Sequence, residues 1–276
     1  VTDQVSKSEG SATLRYQVAV TRHSGGQALA LRLTNFEFLE VDGHDARTPA
    51  LRKQLRGALE AASALPTILV SPDGAFLDIV DMEALIDRIA RSTAMPPKER
   101  KAMVEVMKSP AMLAAMKARS VEFWNVWVGL WSGADLEPGR RRELNIQTPL
   151  PNGTMVARPV AITHHGPDGP PGHVHLSFES TLRGGPKDAR LRGALEDAAK
   201  DLAASGGKAL TEDVEGFDLS TGGEVVTDPE TLKPVTARSF RRTTVKLKGQ
   251  PPQSQVEAHV YTFAWPKTVT TPAKTP

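Results

Sequence analysis

Residues 109–133 read SPAMLAAMKARSVEFWNVWVGLWSG, and three of the chain's four tryptophans, Trp124, Trp127 and Trp131, fall inside this stretch. At roughly 100° per residue, Leu113, Met116, Ser120, Trp124, Trp127 and Trp131 project onto one side, flanked by Met112, Phe123 and Leu130. Glu122, Asn125, Gly129 and Ser132 form a narrow polar stripe opposite. Ser109 suits the N-cap, Pro110 the first helical position and Gly133 the C-terminal stop. So wide an apolar surface predicts a helix buried on most sides, with much of the remaining chain serving to cover it.

Upstream, residues 12–22 alternate, with Leu14, Tyr16, Val18 and Val20 on one face of a half-buried strand. Residues 27–41 return with Leu29, Leu31 and Leu33 inward, then Phe36 and Phe38 on the opposite parity; the change of phase at Thr34-Asn35 predicts a β-bulge. A helix over 48–64 carries Leu51, Leu55 and Leu59 on its apolar stripe, and a hairpin over 67–81 turns at Ser71-Pro72-Asp73-Gly74. Helices over 82–91 and 98–108, separated by Met95-Pro96-Pro97, lead into the tryptophan segment. Downstream, strands are predicted at 140–148, 154–165, 173–182, 215–220, 224–227, 235–248 and 255–265, with a helix over 188–205. Pro159 marks an edge or a bulge.

Two pieces recur in the same order. Val18-Ala19-Val20-Thr21-Arg22-His23 matches Val160-Ala161-Ile162-Thr163-His164-His165, and Leu55-Arg56-Gly57-Ala58-Leu59-Glu60 matches Leu191-Arg192-Gly193-Ala194-Leu195-Glu196. A fainter echo sets the turn Ser71–Gly74 beside Ser220-Thr221-Gly222-Gly223, so each copy reads long hairpin, helix, short hairpin. The expected fold is therefore α+β: a strongly bent, open barrel-like antiparallel sheet wrapped around a helical insert, with internal duplication. It makes a single domain over 11–265, with repeat one at 11–81, the insert at 82–133, repeat two at 140–227 and closing strands at 235–265. Residues 1–10 and 266–276 read as tails.

Composition narrows the chemistry. A net charge of +2 argues against unspecific attraction to nucleic acid, although the pI is about 8.8. With no cysteine, disulfides, thiolate nucleophiles and cysteine-based metal sites are excluded. No apolar run approaches the ~20 residues of a membrane helix. The start at Val1 in place of Met is read as removal of a leader, and the polar tails as those of a tethered or secreted protein.

The segment Val226-Thr227-Asp228-Pro229-Glu230-Thr231-Leu232-Lys233-Pro234-Val235 is a strand–turn–strand in which Asp228-Pro229 starts the turn and Pro234 restarts the extended chain. With the bent sheet around helices, it resembles the bacterial periplasmic lipoprotein carrier and receptor proteins of the LolA/LolB type and related envelope lipoproteins. The resemblance implies a carrier-like shape and a periplasmic or outer-membrane-tethered address. It assigns no binding residue.

Two constellations are candidates for function. The first is the face of Met116, Ser120, Trp124, Trp127 and Trp131, which serves either as plain core or as the lining of a groove for a hydrophobic small molecule or lipid. The second is the histidine hairpin, where pairing of His165 with His173 puts His165, His173 and His175 on one face as a candidate Zn²⁺ or Cu²⁺ site. Its alternative is a polar, solvent-facing hairpin end. Arg140, Arg141 and Arg142, with Arg238, Arg241 and Arg242, form a further basic set without the aromatic interleaving that nucleic-acid binding uses. No nucleophile elbow, Walker loop, dinucleotide fingerprint, HExxH or EF-hand loop occurs. The expectation is a non-enzymatic envelope protein that binds a hydrophobic ligand or a partner protein. The alternatives are a metal-binding envelope protein and a scaffold or assembly factor.

Overall fold

The computed structural model describes residues 10–23, 26–62, 65–93, 95–134, 137–149, 155–185, 188, 214–249 and 251–265. The expected tails beyond Gly10 and Trp265, the turn at 150–154 and nearly all of the helix expected at 188–205 lie outside these residues, and with them the second copy of the Leu-Arg-Gly-Ala-Leu-Glu motif. The chain divides into two compact units, Val1–Val121 and Glu122–Pro276.

In the first unit, β1 (Ala12–Arg22), β2 (Leu29–Val41), β3 (His44–Asp45), β4 (Thr67–Val70) and β5 (Phe76–Val80) form an antiparallel sheet in the order β1-β2-β4-β5, with β3 on β2. The bulge stands where the change of parity puts it. Arg15 pairs with Glu37 but Gln17 with Thr34, so β2 carries one extra residue, and Asn35 takes a φ of +56° there. Helices α1 (Pro49–Ala62), α2 (Met82–Ser92), α3 (Pro97–Met107) and α4 (Pro110–Trp124) follow their apolar spacing. Met82, Leu85, Ile86 and Ala90 of α2 are buried, as are Leu31, Ile68, Val70 and Ile79 of the sheet. One expectation fails: β1 is not half-buried, since Leu14, Val18 and Val20 are all exposed. Among the described residues β1 is outermost and pairs with β2 alone, and alternation without a covering layer leaves such a strand to solvent.

In the second unit, β6 (Arg141–Pro149), β7 (Met155–Pro167), β8 (Val174–Gly184), β9 (Val214–Thr227), β10 (Pro234–Leu247) and β11 (Gln253–Thr262) form an antiparallel sheet in the order β11-β10-β9-β8-β7-β6. The α4 helix runs on through a π-helical turn, Asn125–Gly129, in which Leu130 N donates to Asn125 O at 3.1 Å. Gly133 then ends the helical path at a φ of +69°. The buried side chains of this unit include Val126, Trp127, Val128 and Trp131 of the helical stretch and Val160, Ile162, Leu176, Val225 and Ala237 of the sheet. Both sheets are open among the described residues and neither closes into a barrel.

Two further expectations do not hold. Gly222-Gly223 is not a turn: β9 runs unbroken through it, so the echo of Ser71–Gly74 is lost. The reason is on both faces of the strand. A Cβ at Gly222 would stand 2.5 Å from Phe240 Cε1, and one at Gly223 would stand 2.6 Å from Phe178 Cε1, so aromatic rings occupy the space the two glycines leave. The long stretch 110–131 is also not buried throughout. Leu113, Met116 and Ser120 are half-buried, and burial sets in from Val121.

The turn between β9 and β10 is structural, as its sequence indicates. Asp228 Oδ1 accepts from the amides of Glu230 (2.8 Å) and Thr231 (3.0 Å), and Leu232 is held at a φ of +52°. Those amides hold the Asp228 carboxyl below the usual carboxylate range, with a smaller lowering from His173. Among the described residues Pro159 lies on a stretch of β7 that pairs with β6 alone, because pairing with β8 ends at Ala161 opposite Glu179.

Candidate functional site

A concavity of the first unit lies along α1. Its floor is Phe36 and Phe38, brought to one side of β2 by the bulge, together with Leu55 and Leu59 of α1. Arg47, Arg52, Lys53 and Arg56 stand around it with Glu37 and Glu60, and its volume is about 920 Å³. Arg47 is tied to Asp45 through Nε–Oδ1 at 2.9 Å and Nη2–Oδ2 at 3.0 Å. That pairing, with the Arg47 amide, pulls the Asp45 carboxyl down to about 2. Sequence reasoning placed Leu55 and Leu59 inward but did not join them to Phe36 and Phe38. The signal was the bulge, which turns both phenylalanines onto the parity opposite Leu31.

The sequence-derived ligand face divides between the units: Met116 and Ser120 belong to the first, and Trp124, Trp127 and Trp131 to the second. Trp127 is 2% exposed, with Phe123, Tyr261 and Phe263 at centroid distances of 4.7, 5.1 and 4.9 Å. Edge contacts of this kind are those of packed core. Trp131 is also buried; its Nε1 donates to Val126 O at 2.8 Å and its ring stands 6.3 Å from Phe178. Burial among these rings raises the Tyr261 phenol above its ordinary pKa, against a smaller lowering from its hydrogen bond with Ser239.

A smaller cavity of about 80 Å³ lies within the second unit, bordered by Glu122, Asn125, Val126 and Leu130 and by strand residues including Arg158 and Arg241. None of the three tryptophans borders it. The π-helical turn widens the helix locally, so a projection at 100° per residue loses phase from Asn125 onward, and residues of the supposed outer stripe border the cavity.

The histidine hairpin pairs in a different register from the expected one. His164 stands opposite Leu176 and Gly166 opposite His175, with His165 in a bulge between them. His164 is buried, and its Nδ1 accepts from Gly166 N at 3.0 Å. The His165 and His175 rings stack at 4.5 Å, His165 bonds Ser177 Oγ at 2.7 Å, and His175 Nε2 lies 3.4 Å from Glu224 Oε2. His173 precedes β8, and its Nδ1 lies 3.3 Å from Pro171 O. The set His165, His173 and His175 is thus not assembled as a Zn²⁺ or Cu²⁺ site. Among the described residues no three His, Asp or Glu side chains are grouped to hold a metal ion. The bulge at His165 was the missing information, since one extra residue changes which histidines face each other.

Asp78 takes Lys117 Nζ at 2.7 Å, which holds its carboxyl below the usual range, and Asp81 accepts from Thr67 Oγ1 at 3.3 Å. No helix among the described residues is long and apolar enough to cross a membrane. Compared with protein-family models, curated proteins and solved structures, the chain matches none.

Proposed function

We propose that this chain is a non-enzymatic binding protein of the bacterial cell envelope, carrier-like in action, whose first unit takes a hydrophobic ligand or lipid bearing negative charge. The groove along α1 carries the reading. Its volume of about 920 Å³ is in the range of small-molecule sites, its floor is the apolar set Phe36, Phe38, Leu55 and Leu59, and four cations against two carboxylates stand around it. An acyl or aromatic body on that floor leaves a negative group within reach of Arg52, Lys53 and Arg56. The periplasmic or outer-membrane-tethered address rests on the resemblance carried by residues 226–235 and belongs to the same proposal.

The finer architecture, a bent sheet wrapping helices with two related halves, is also part of it. Strand order supports the duplication: β1-β2-β4-β5 in the first unit and β7-β8-β9-β10 in the second follow one path, with 18–22 and 160–164 in the first strand of each. On that alignment the short hairpin of the second copy turns at Asp228–Lys233, and not at Gly222-Gly223.

The test is displacement of 8-anilinonaphthalene-1-sulfonate by palmitate and by lysophosphatidylglycerol, on the native chain and on Leu55→Asp. Saturable displacement, weakened about tenfold in Leu55→Asp, is expected, since burying a charge on the floor costs over ~1.4 kcal/mol. A native chain that shows no saturable dye binding ends this reading.

A further inference from the structure

Strand β7 carries Val156, Arg158, Val160 and Ile162 on one parity, and all but the arginine are buried hydrophobics. Arg158 sits where an apolar residue is expected, half-buried, at the 80 Å³ cavity of the second unit. Its Nη1 donates to Thr221 Oγ1 at 3.0 Å, while its buried Nε meets no acceptor among the described residues. Glu122 acts on it through space, but that carboxylate is 2.8 Å from Arg241 Nη1. Burial also lowers the guanidinium's affinity for its proton, the physical sign of a cation held out of water. Buried charges in proteins are ordinarily paired, so a guanidinium in this setting is arranged for an anion that arrives from outside.

We infer that Arg158 receives the carboxylate of a small apolar organic acid, whose short tail lies against Val126, Leu130, Ile146 and Val160. Four observations select that class. The guanidinium fork matches two carboxylate oxygens. The Thr221 hydroxyl already fixes one arm of the fork. Glu122 and Glu257 on the cavity border disfavour a multiply charged anion such as phosphate. At about 10–15 Å³ per water-sized atom, the volume admits a ligand of roughly six heavy atoms. His259 also borders the cavity.

This site and the groove along α1 are separate, and each stands or falls alone. The experiment is calorimetric titration of the full chain with acetate, butyrate, octanoate and inorganic phosphate at constant ionic strength. Butyrate is expected to bind saturably and more tightly than acetate, and to raise the thermal midpoint. Arg158→Gln is expected to weaken butyrate at least tenfold, and Arg158→Lys less. Should Arg158→Gln fail to fold, Leu130→Trp fills the cavity with the arginine retained and is expected to abolish butyrate binding while leaving dye binding at Leu55 unchanged. Absence of butyrate binding by the native chain, binding undiminished in both variants, or phosphate bound more tightly than butyrate each overturns the proposal. Butyrate binding that is lost in Leu55→Asp and kept in Arg158→Gln also overturns it, because the acid then sits in the groove along α1.

Discussion

At the scale of single residues, the second unit depends on two glycines that look like a turn and are not. Gly222 and Gly223 lie mid-strand, where glycine normally weakens a sheet by entropy and by the lack of a packed side chain. Here Phe240 and Phe178 take the place of the missing Cβ atoms from opposite faces. The two positions should respond differently. A Cβ at Gly223 meets Phe178 at 2.6 Å and also the backbone oxygen of Arg238 at 2.8 Å, and backbone cannot swing aside. A Cβ at Gly222 meets chiefly Phe240, whose side chain is 47% exposed and able to move. Gly223→Ala is expected to cost about 1–3 kcal/mol and Gly222→Ala distinctly less, read from urea midpoints. Equal costs would show that the rings do not hold the positions described. Leu232, a bulky residue at a positive φ, is another such position: the Asp228 turn holds it there although an isolated leucine disfavours it.

At the scale of elements, the π-helical turn decides what the tryptophan stretch does. Its N-terminal part keeps α-helical phase with half-buried side chains, while Asn125–Gly129 rotates the face and seats Trp127 among Phe123, Tyr261 and Phe263. Trp127→Ala is expected to destabilise by ~3–5 kcal/mol, and Leu113→Ala, at a half-buried position, by well under half as much. Thermal unfolding of the two variants decides it; similar costs would mean that the helix is packed alike along its length. Phase is also what the sequence conveyed least well here. The spacing of apolar residues announces a helix and its caps, Ser109 and Gly133, from local chemistry. A π-bulge is set by packing against the sheet, which no spacing within the helix records. The bulge at Asn35, by contrast, was legible, because a shift of parity within one strand is itself a local signal. The bulge at His165 was not, because its strand keeps alternating while the partner's register moves.

At the scale of the whole molecule, stability should be bounded on both sides of neutral pH. Asp45, Asp78 and Asp228 are held below their ordinary carboxylate values, so each contributes stability above the unfolded value of about 3.9. Those contributions are lost as pH falls through the folded values, which for Asp45 is about 2. Tyr261 is shifted the other way. Its raised phenol favours the protonated fold below the unfolded value of about 10, and that contribution is lost as pH rises through the folded one. Tyr261→Phe should therefore flatten the alkaline limb of a urea-midpoint profile, and Asp78→Asn the acid limb, each leaving the other limb in place. Asp78 and Lys117 are partly exposed, so screening keeps the second effect within roughly 1 kcal/mol and added salt should shrink it. What the sequence by itself determined was local: antiparallel strands and helices in the observed order, the bulge at Asn35, the Asp228 turn, and the absence of cysteine chemistry. What only the tertiary structure decided was which surfaces meet: Trp127 and Trp131 as core, histidines out of register, β1 exposed, and Arg158 drawn into an apolar wall. Hydrogen bonds, turns and side-chain periodicity are written within a few residues, whereas burial depends on what the fold brings from dozens of residues away.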